Sequence, residues 1–172
     1  MIHKLGEREL KTKYGTYREI LYYDGRQESI AIVMGDVDNQ ENVLCRVHSN
    51  CIGAHVFNSV ECDCREQMEA AQAMIEKEGR GVLIWLDQEG KGNGHLALVE
   101  SIQYKKAGFS QAEAYVKAGY EADGRCYRAA AQILSDLKVG SIVLLANGAG
   151  KANDLRKESI TITETRQLTA TL

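Results

Sequence analysis

"REQMEAAQAMIEKEGRGVLIWLDQEGKGNG", residues 65–94, changes its hydrophobic period twice. Met68, Ala71, Met74 and Ile75 recur at helical spacing, and Gly79 suits the left-handed residue that closes a helix. "GVLIWLD" (81–87) is then an unbroken apolar run, too short for a buried helix, as in a strand covered on both faces. "DQEGKGNG" (87–94) follows as a glycine-rich polar loop. Helix, buried strand and glycine loop in succession are the unit of an alternating α/β protein.

The rest of the chain extends that pattern. "ESIAIVMGDV" (28–37) and "ENVLCRVHS" (41–49) read as strands joined by the polar turn "DNQ". "GHLALVESIQYKKAG" (94–108) and "QAEAYVKAG" (111–119) read as helices ended by glycine. "RCYRAAAQILSDLKVG" (125–140) is a further helix, with Ala129, Ile133, Leu134 and Leu137 on one face. "SIVLLAN" (141–147) is a buried strand, and "ITITETRQL" (160–168) alternates as an edge strand does. With no proline and no low-complexity tract, glycine does the punctuation. The expectation is α/β: a single compact domain over 1–172, a mixed sheet flanked by helices.

Composition narrows the function. At 172 residues, 44% hydrophobic and 26% charged, the chain has the make-up of a globular domain with a core of its own. A net charge of −3 leaves no basic excess for counterion release, so a nucleic acid polymer is not expected as a partner. "MIHKLGEREL" has no apolar stretch of a leader, and no run approaches the roughly 20 residues that span a bilayer. A cytoplasmic protein without a membrane partner is expected.

Five cysteines, an odd number in a reducing compartment, cannot form a complete disulfide framework. Three of them fall in "NCIGAHVFNSVECDC" (50–64). Cys62 and Cys64 are separated only by Asp63, and an adjoining segment can bring Cys51 to the same point. Three thiolates suit a borderline-soft cation such as zinc. Neither His48 nor His55 has convincing spacing for a fourth ligand, so three readings stand. They are a structural zinc, redox-inert thiols, and a three-ligand zinc with an open position. Cys45 and Cys126 read as small buried hydrophobes. "DQEGKGNG", "EADGR" (121–125) and "ANGAGK" (146–151) are glycine-rich loops at strand ends or before a helix, each with a Lys or Arg. Such loops offer N–H groups and positive charge to a phosphorylated ligand, although "ANGAGK" is too short for a P-loop.

The spacing C-x10-C-x-C preceded by "RVHS" (46–49), followed by "QEG" (88–90), "D-G-R" (123–125) and "N-x3-K" (147–151), resembles GTP cyclohydrolase II of riboflavin biosynthesis. The likeness runs collinearly from about residue 10 to 168. It implies a homodimer acting on a small-molecule nucleotide and converting GTP and water to a diaminopyrimidinone ribosylamino phosphate, formate and pyrophosphate. It implies Zn2+ on Cys51, Cys62 and Cys64, where an open position activates water for attack at the purine C8, and Mg2+ accompanying the nucleotide phosphates. Asp123 matches the proton carrier, and also suits a helix N-cap before a helix starting near Arg125. Arg125 matches an arginine at the α-phosphorus, where a guanidinium serves as an electrostatic clamp at least as readily as a nucleophile. Arg46, Gln67, Glu89, Lys91 and Lys151 match substrate-binding positions. Glu89, an acceptor only when ionised, is suited to ring N–H and amine donors, and Arg46 and Lys151 to phosphate.

The departures are as specific. Asn50 stands where the family has Glu, Lys91 where it has Arg, and Ala146 and Gln111 where it has Thr. The family's "QEGR-x-IGL" is "QEGKGNGH" here, which loses its apolar pair. The family's Tyr on the following helix falls at Ile102, and Tyr104, two residues on, turns about 200° away. The family's tail beyond the last strand has no counterpart before Leu172. An intact metal motif with rewritten ligand loops implies retained ring-opening chemistry on an altered substrate.

Overall fold

A computed structural model describes residues 1–148 and 150–168. Among them one seven-stranded mixed sheet runs through the molecule. In chain order its strands are β1 (His3–Thr12), β2 (Gly15–Tyr23), β3 (Glu28–Met34), β4 (Val43–Ser49), β5 (Gly81–Leu86), β6 (Ile142–Leu145) and β7 (Ile162–Arg166). The spatial order is β1-β2-β3-β5-β4-β6-β7. The first four strands of that order pair antiparallel, while β5, β4, β6 and β7 run parallel to one another. Thus β3 and β4, consecutive in sequence, are separated by β5.

The helices are α1 (Ile52–His55), α2 (Cys64–Glu78), α3 (His95–Lys106), α4 (Gln111–Lys117), α5 (Arg128–Asp136) and α6 (Gly150–Lys157). The predicted stripe of α2 packs on one face of the sheet. There Ala71 and Ile75 join Tyr17, Ile32, Leu44, Leu83 and Leu145, with Met68 and Met74 half-buried at the margin. Gly79 closes α2 at φ 75°, its N–H donating to the Ile75 carbonyl. On the other face α5 and α6 bury Ala129, Ile133, Leu134 and Leu155 against Val47, Val82, Ile84 and Leu144. The parallel strands are therefore covered on both sides, which is why "GVLIWL" and "IVLL" read as continuous apolar runs. Cys45 lies in this core with its thiol pushed up to about 12 by burial, as a small hydrophobe.

Three expectations are corrected. The β1–β2 hairpin has no counterpart in the sequence reading: β1 is an edge strand, exposed along most of its length, and carries no alternating apolar face to read. Helix α5 begins at Arg128 rather than near Arg125, so Asp123 is not its N-cap. Cys126 is exposed, since it lies in the loop before α5, outside the helix's apolar face.

The site follows from the topology. The chain leaves β4 toward β5 on one side and reaches β6 on the other, so the loops leaving their C-terminal ends diverge around β4. In open α/β sheets ligands collect at such a switch point.

Candidate metal and nucleotide site

Cys51 follows β4 directly, where the Asn50 N–H donates to the carbonyl of Leu86 on β5. Cys62 and Cys64 lie in the turn that starts α2. Arg65 ties the two segments together: Nε and Nη2 donate to the Ala54 carbonyl at 3.0 and 2.8 Å, and Nη2 also to the His55 carbonyl at 2.8 Å. As a result the three sulfurs lie within 4.8 Å of one another, Cys51 and Cys62 at 3.6 Å. Ligands on a tetrahedron about 2.3 Å from zinc stand roughly 3.8 Å apart, so the spacing fits such an ion. Burial and the neighbouring thiols push the Cys51 and Cys64 thiols up. His48 and His55 are engaged with each other, Nε2 to Nε2 at 3.0 Å. The His48 ring is pushed down to about 2 by burial and then by Arg46.

A cleft of about 430 Å³ opens beside the sulfurs, lined also by Glu89, Lys91, Ile102, Gln111, Tyr115 and Arg125. Gln88 braces its floor, donating through Nε2 to Ser49 Oγ at 3.1 Å and accepting the Cys126 N–H at Oε1 at 3.0 Å. Glu89 is buried and turned inward. Its Oε1 accepts the Ile52 N–H at 2.9 Å, and its Oε2 lies 2.9 Å from His95 Nδ1. The anticipated free acceptor for substrate donors is therefore already engaged on both oxygens.

The loop after β5 locks the loop that carries Asp123 and Arg125. The Gly124 N–H donates to the Lys91 carbonyl at 2.8 Å, and Asn93 exchanges hydrogen bonds with the Glu121 backbone. A Cβ at Gly92, whose φ is +84°, would sit 2.6 Å from the Gly124 carbonyl carbon, so only glycine permits this approach. Arg125 chelates Asp123, Nε to Oδ1 at 2.9 Å and Nη2 to Oδ2 at 2.6 Å. That contact lowers the Asp123 carboxyl and raises the guanidinium. Arg125 lines the cleft while Asp123 is held to its side.

Arg46, Gln67 and Lys151 form a second group, on β4, α2 and α6, outside the residues that line the cleft. Arg46 is buried; Nη1 donates to the Leu145 carbonyl at 3.0 Å, Nη2 to Gln67 Oε1, and Nε has no partner. Lys151 Nζ donates to the Val47 carbonyl at 2.6 Å, and burial, then Arg46 and Arg125, pushes its ammonium down to about 7.

Of the altered positions, Asn50 donates to Asp87 Oδ1 at 3.1 Å, Gln111 to Ser101 Oγ at 3.3 Å, and Ala146 is buried. Tyr104 does not line the cleft, as its helical phase requires. Among the lining residues that the sequence reading did not single out are His95 and Tyr115. Tyr115 falls within the helix read over 111–119, where no local pattern marks it as a cleft residue. The histidine was visible only as the end of an altered loop motif.

This is the arrangement of an α/β protein with three convergent thiols able to hold a cation, beside a cleft lined by apolar and charged side chains. The GTP cyclohydrolase II family model matches residues 3–167, and the chain belongs to that family. It is 40% identical over 166 residues to the riboflavin biosynthesis protein RibBA of Bacillus cereus, covering 95% of this chain and 42% of that protein. RibBA of Chlorobium phaeovibrioides is 39% identical over 166 residues, covering 95% and 40%. The chain thus spans about two-fifths of the length of these relatives. Among solved structures, the two-domain 3,4-dihydroxy-2-butanone 4-phosphate synthase RibBX of A. baumannii superposes with a TM-score of 0.55 at 19% identity. That match covers 99% of this chain and 40% of the other, and bears on the fold alone.

The half-buried Lys151 sets a pH dependence. The unfolded chain keeps Lys151 protonated up to about 10.5, whereas the folded protein releases the proton near 7. Between these values the unfolded state binds more protons, so this group makes stability rise with pH. Urea unfolding across that window should show a rising component in the wild type that Lys151→Met flattens. An equal slope in both proteins would remove the assignment.

Proposed function

We propose that the chain is a zinc-dependent cyclohydrolase that opens the purine ring of a GTP-like nucleotide, releasing formate and pyrophosphate. The observation that carries this reading is the meeting, in one cleft, of three convergent sulfurs and Arg125, with buried Arg46 and half-buried Lys151 close behind. When bound to Cys51, Cys62 and Cys64, zinc supplies a Lewis acid and a water acidic near neutrality. The residues of the chain do the rest. Arg46, with an unused Nε, and Lys151 present positive charge that no carboxylate neutralises directly. A phosphate arriving there would restore the Lys151 proton and gain charge-assisted hydrogen bonds. Gln67 holds the guanidinium in place. Arg125 clamps phosphate in exchange for Asp123, and the freed Asp123 carboxylate becomes the proton carrier for ring opening and formate loss. Lys91 adds a second charge at the cleft.

Glu89 acts by orienting the wall of the cleft as well as by accepting. Among the described residues the cysteine trio is the one cluster suited to a cation, so Mg2+ would enter on the nucleotide phosphates. A closed structural zinc is the competing reading. It is disfavoured by the engagement of both nearby imidazoles with each other.

Among the described residues no helix is long and apolar enough to cross a membrane. Val56, Phe57, Val60, Leu96 and Val99 are all exposed, and a homodimer would cover such side chains. Light scattering at micromolar concentration should give about twice the 19.0 kDa of one chain; a monomer mass would remove the dimer from the reading.

Purified protein should carry about one zinc per chain and release formate and pyrophosphate from GTP in equal amounts. Cys62→Ser and Cys64→Ser should each lose most of the metal, because a hydroxyl is a far poorer zinc ligand than a thiolate. Full zinc retention in both variants, or formate release that survives chelation, would overturn the proposal.

A further inference from the structure

His95 begins α3 with its side chain 52% exposed in the cleft. Its Nδ1 lies 2.9 Å from Oε2 of Glu89, whose own side chain is only 6% exposed and whose Oε1 holds the Ile52 N–H. In the tautomer whose Nδ1–H donates to this carboxylate, the imidazole keeps a lone pair on Nε2. Among the described residues Nε2 has no hydrogen-bond partner. The other histidines are differently placed: His48 and His55 face each other, and His3 is on β1. A buried carboxylate behind an imidazole fixes its orientation and strengthens its outer nitrogen as an acceptor.

The surroundings say what that nitrogen meets. Val99 and Ile102 follow His95 on α3 at i+4 and i+7, the same helical face, and both line the cleft with Leu98 and Tyr115. These apolar and aromatic walls suit a flat heterocycle, while the charge of Arg125 and Lys91 suits the phosphate end. With both oxygens of Glu89 engaged inside the protein, Nε2 of His95 is an unpartnered acceptor on an α3 wall of the cleft that is otherwise apolar as far as Lys105.

We propose that His95 is a specificity-determining residue whose Nε2 accepts a hydrogen bond from an N–H donor on the edge of the purine, passing the acceptor character of Glu89 into the cleft. The inference rests on the cyclohydrolase reading and names the substrate feature selected: a purine nucleotide with an amine on its ring edge, as guanine has and hypoxanthine lacks.

Two substitutions separate contact from support. His95→Asn keeps an amide N–H near the position of Nδ1, and so the Glu89 contact, but removes the outer nitrogen. His95→Gln places an amide oxygen near Nε2 and gives up the contact with Glu89. In zinc-loaded protein, calorimetry with GTP should show His95→Asn weakening Kd about tenfold, the worth of one hydrogen bond, and His95→Gln recovering most of it. KM should move in parallel. Wild type should bind inosine triphosphate about tenfold more weakly than GTP, and His95→Asn should bind the two alike. A Kd for His95→Asn equal to wild type, or His95→Gln impaired as much as His95→Asn, would overturn the inference. So would a difference that vanishes with 2′-deoxy-GTP instead, which would assign the contact to the ribose. GTP binding with this pattern but without formate release would count against the cyclohydrolase reading alone, and no GTP binding by the wild type would overturn both.

Discussion

Arg46 is a guanidinium buried at the centre of the parallel strands with no carboxylate bonded to it. Nη1 ends on a backbone carbonyl, Nη2 on the Gln67 amide and, at 3.4 Å, His48 Nδ1, and Nε on nothing. Taking such a charge out of water costs several kcal/mol unless it is well paired. Half-buried Lys151 adds a second cation, whose protonation is lowered first by desolvation and then by Arg46. A fold selected for stability alone would place aliphatic side chains there, as it does at neighbouring Cys45 and Val47. The two positions instead hold cationic side chains behind the cleft, which under the proposed function a phosphate would engage.

The sheet makes that charge usable. Because β4 lies between β5 and β6, its C-terminal end carries Cys51, and the loops from both neighbours close over it. Arg65 draws the Cys51 segment onto α2, and this alone brings three sulfurs separated in sequence to one point. The Gly92–Gly124 approach then fixes Arg125 at the edge of the cleft. The cysteine segments are tied through Arg65 to backbone carbonyls of α1, independently of the Arg125–Asp123 pair and of Arg46, which leans on Leu145 and Gln67. That independence allows the ligand loops to change while the thiol motif stays, the pattern seen at Asn50, Lys91, Asn93 and His95.

Much of this could be read from the sequence where one period dominates. Helices α2 and α5 and strands β5 and β6 bury a continuous stripe or run, so their residues announce their faces. Strand β7 lies at the sheet edge where its alternation placed it. The thiol spacing likewise singled out the three cysteines whose sulfurs converge in the structure. What was not legible depends on contacts between distant segments. The charged sequence of β1 gives no pattern because neither of its faces is buried. Asp123 looked like a cap, but its carboxylate closes on Arg125 two residues later, and the helix starts after that turn. The inward turn of Glu89 needs both Ile52 and His95, which no local pattern connects to it.

The central claim is an open three-thiol metal centre, and the metal's own coordination tests it most directly. X-ray absorption at the zinc edge of the loaded protein should show three sulfur neighbours at about 2.3 Å and one lighter neighbour, without the multiple-scattering pattern of an imidazole. A four-sulfur shell, or a histidine in the fourth position, would contradict the account.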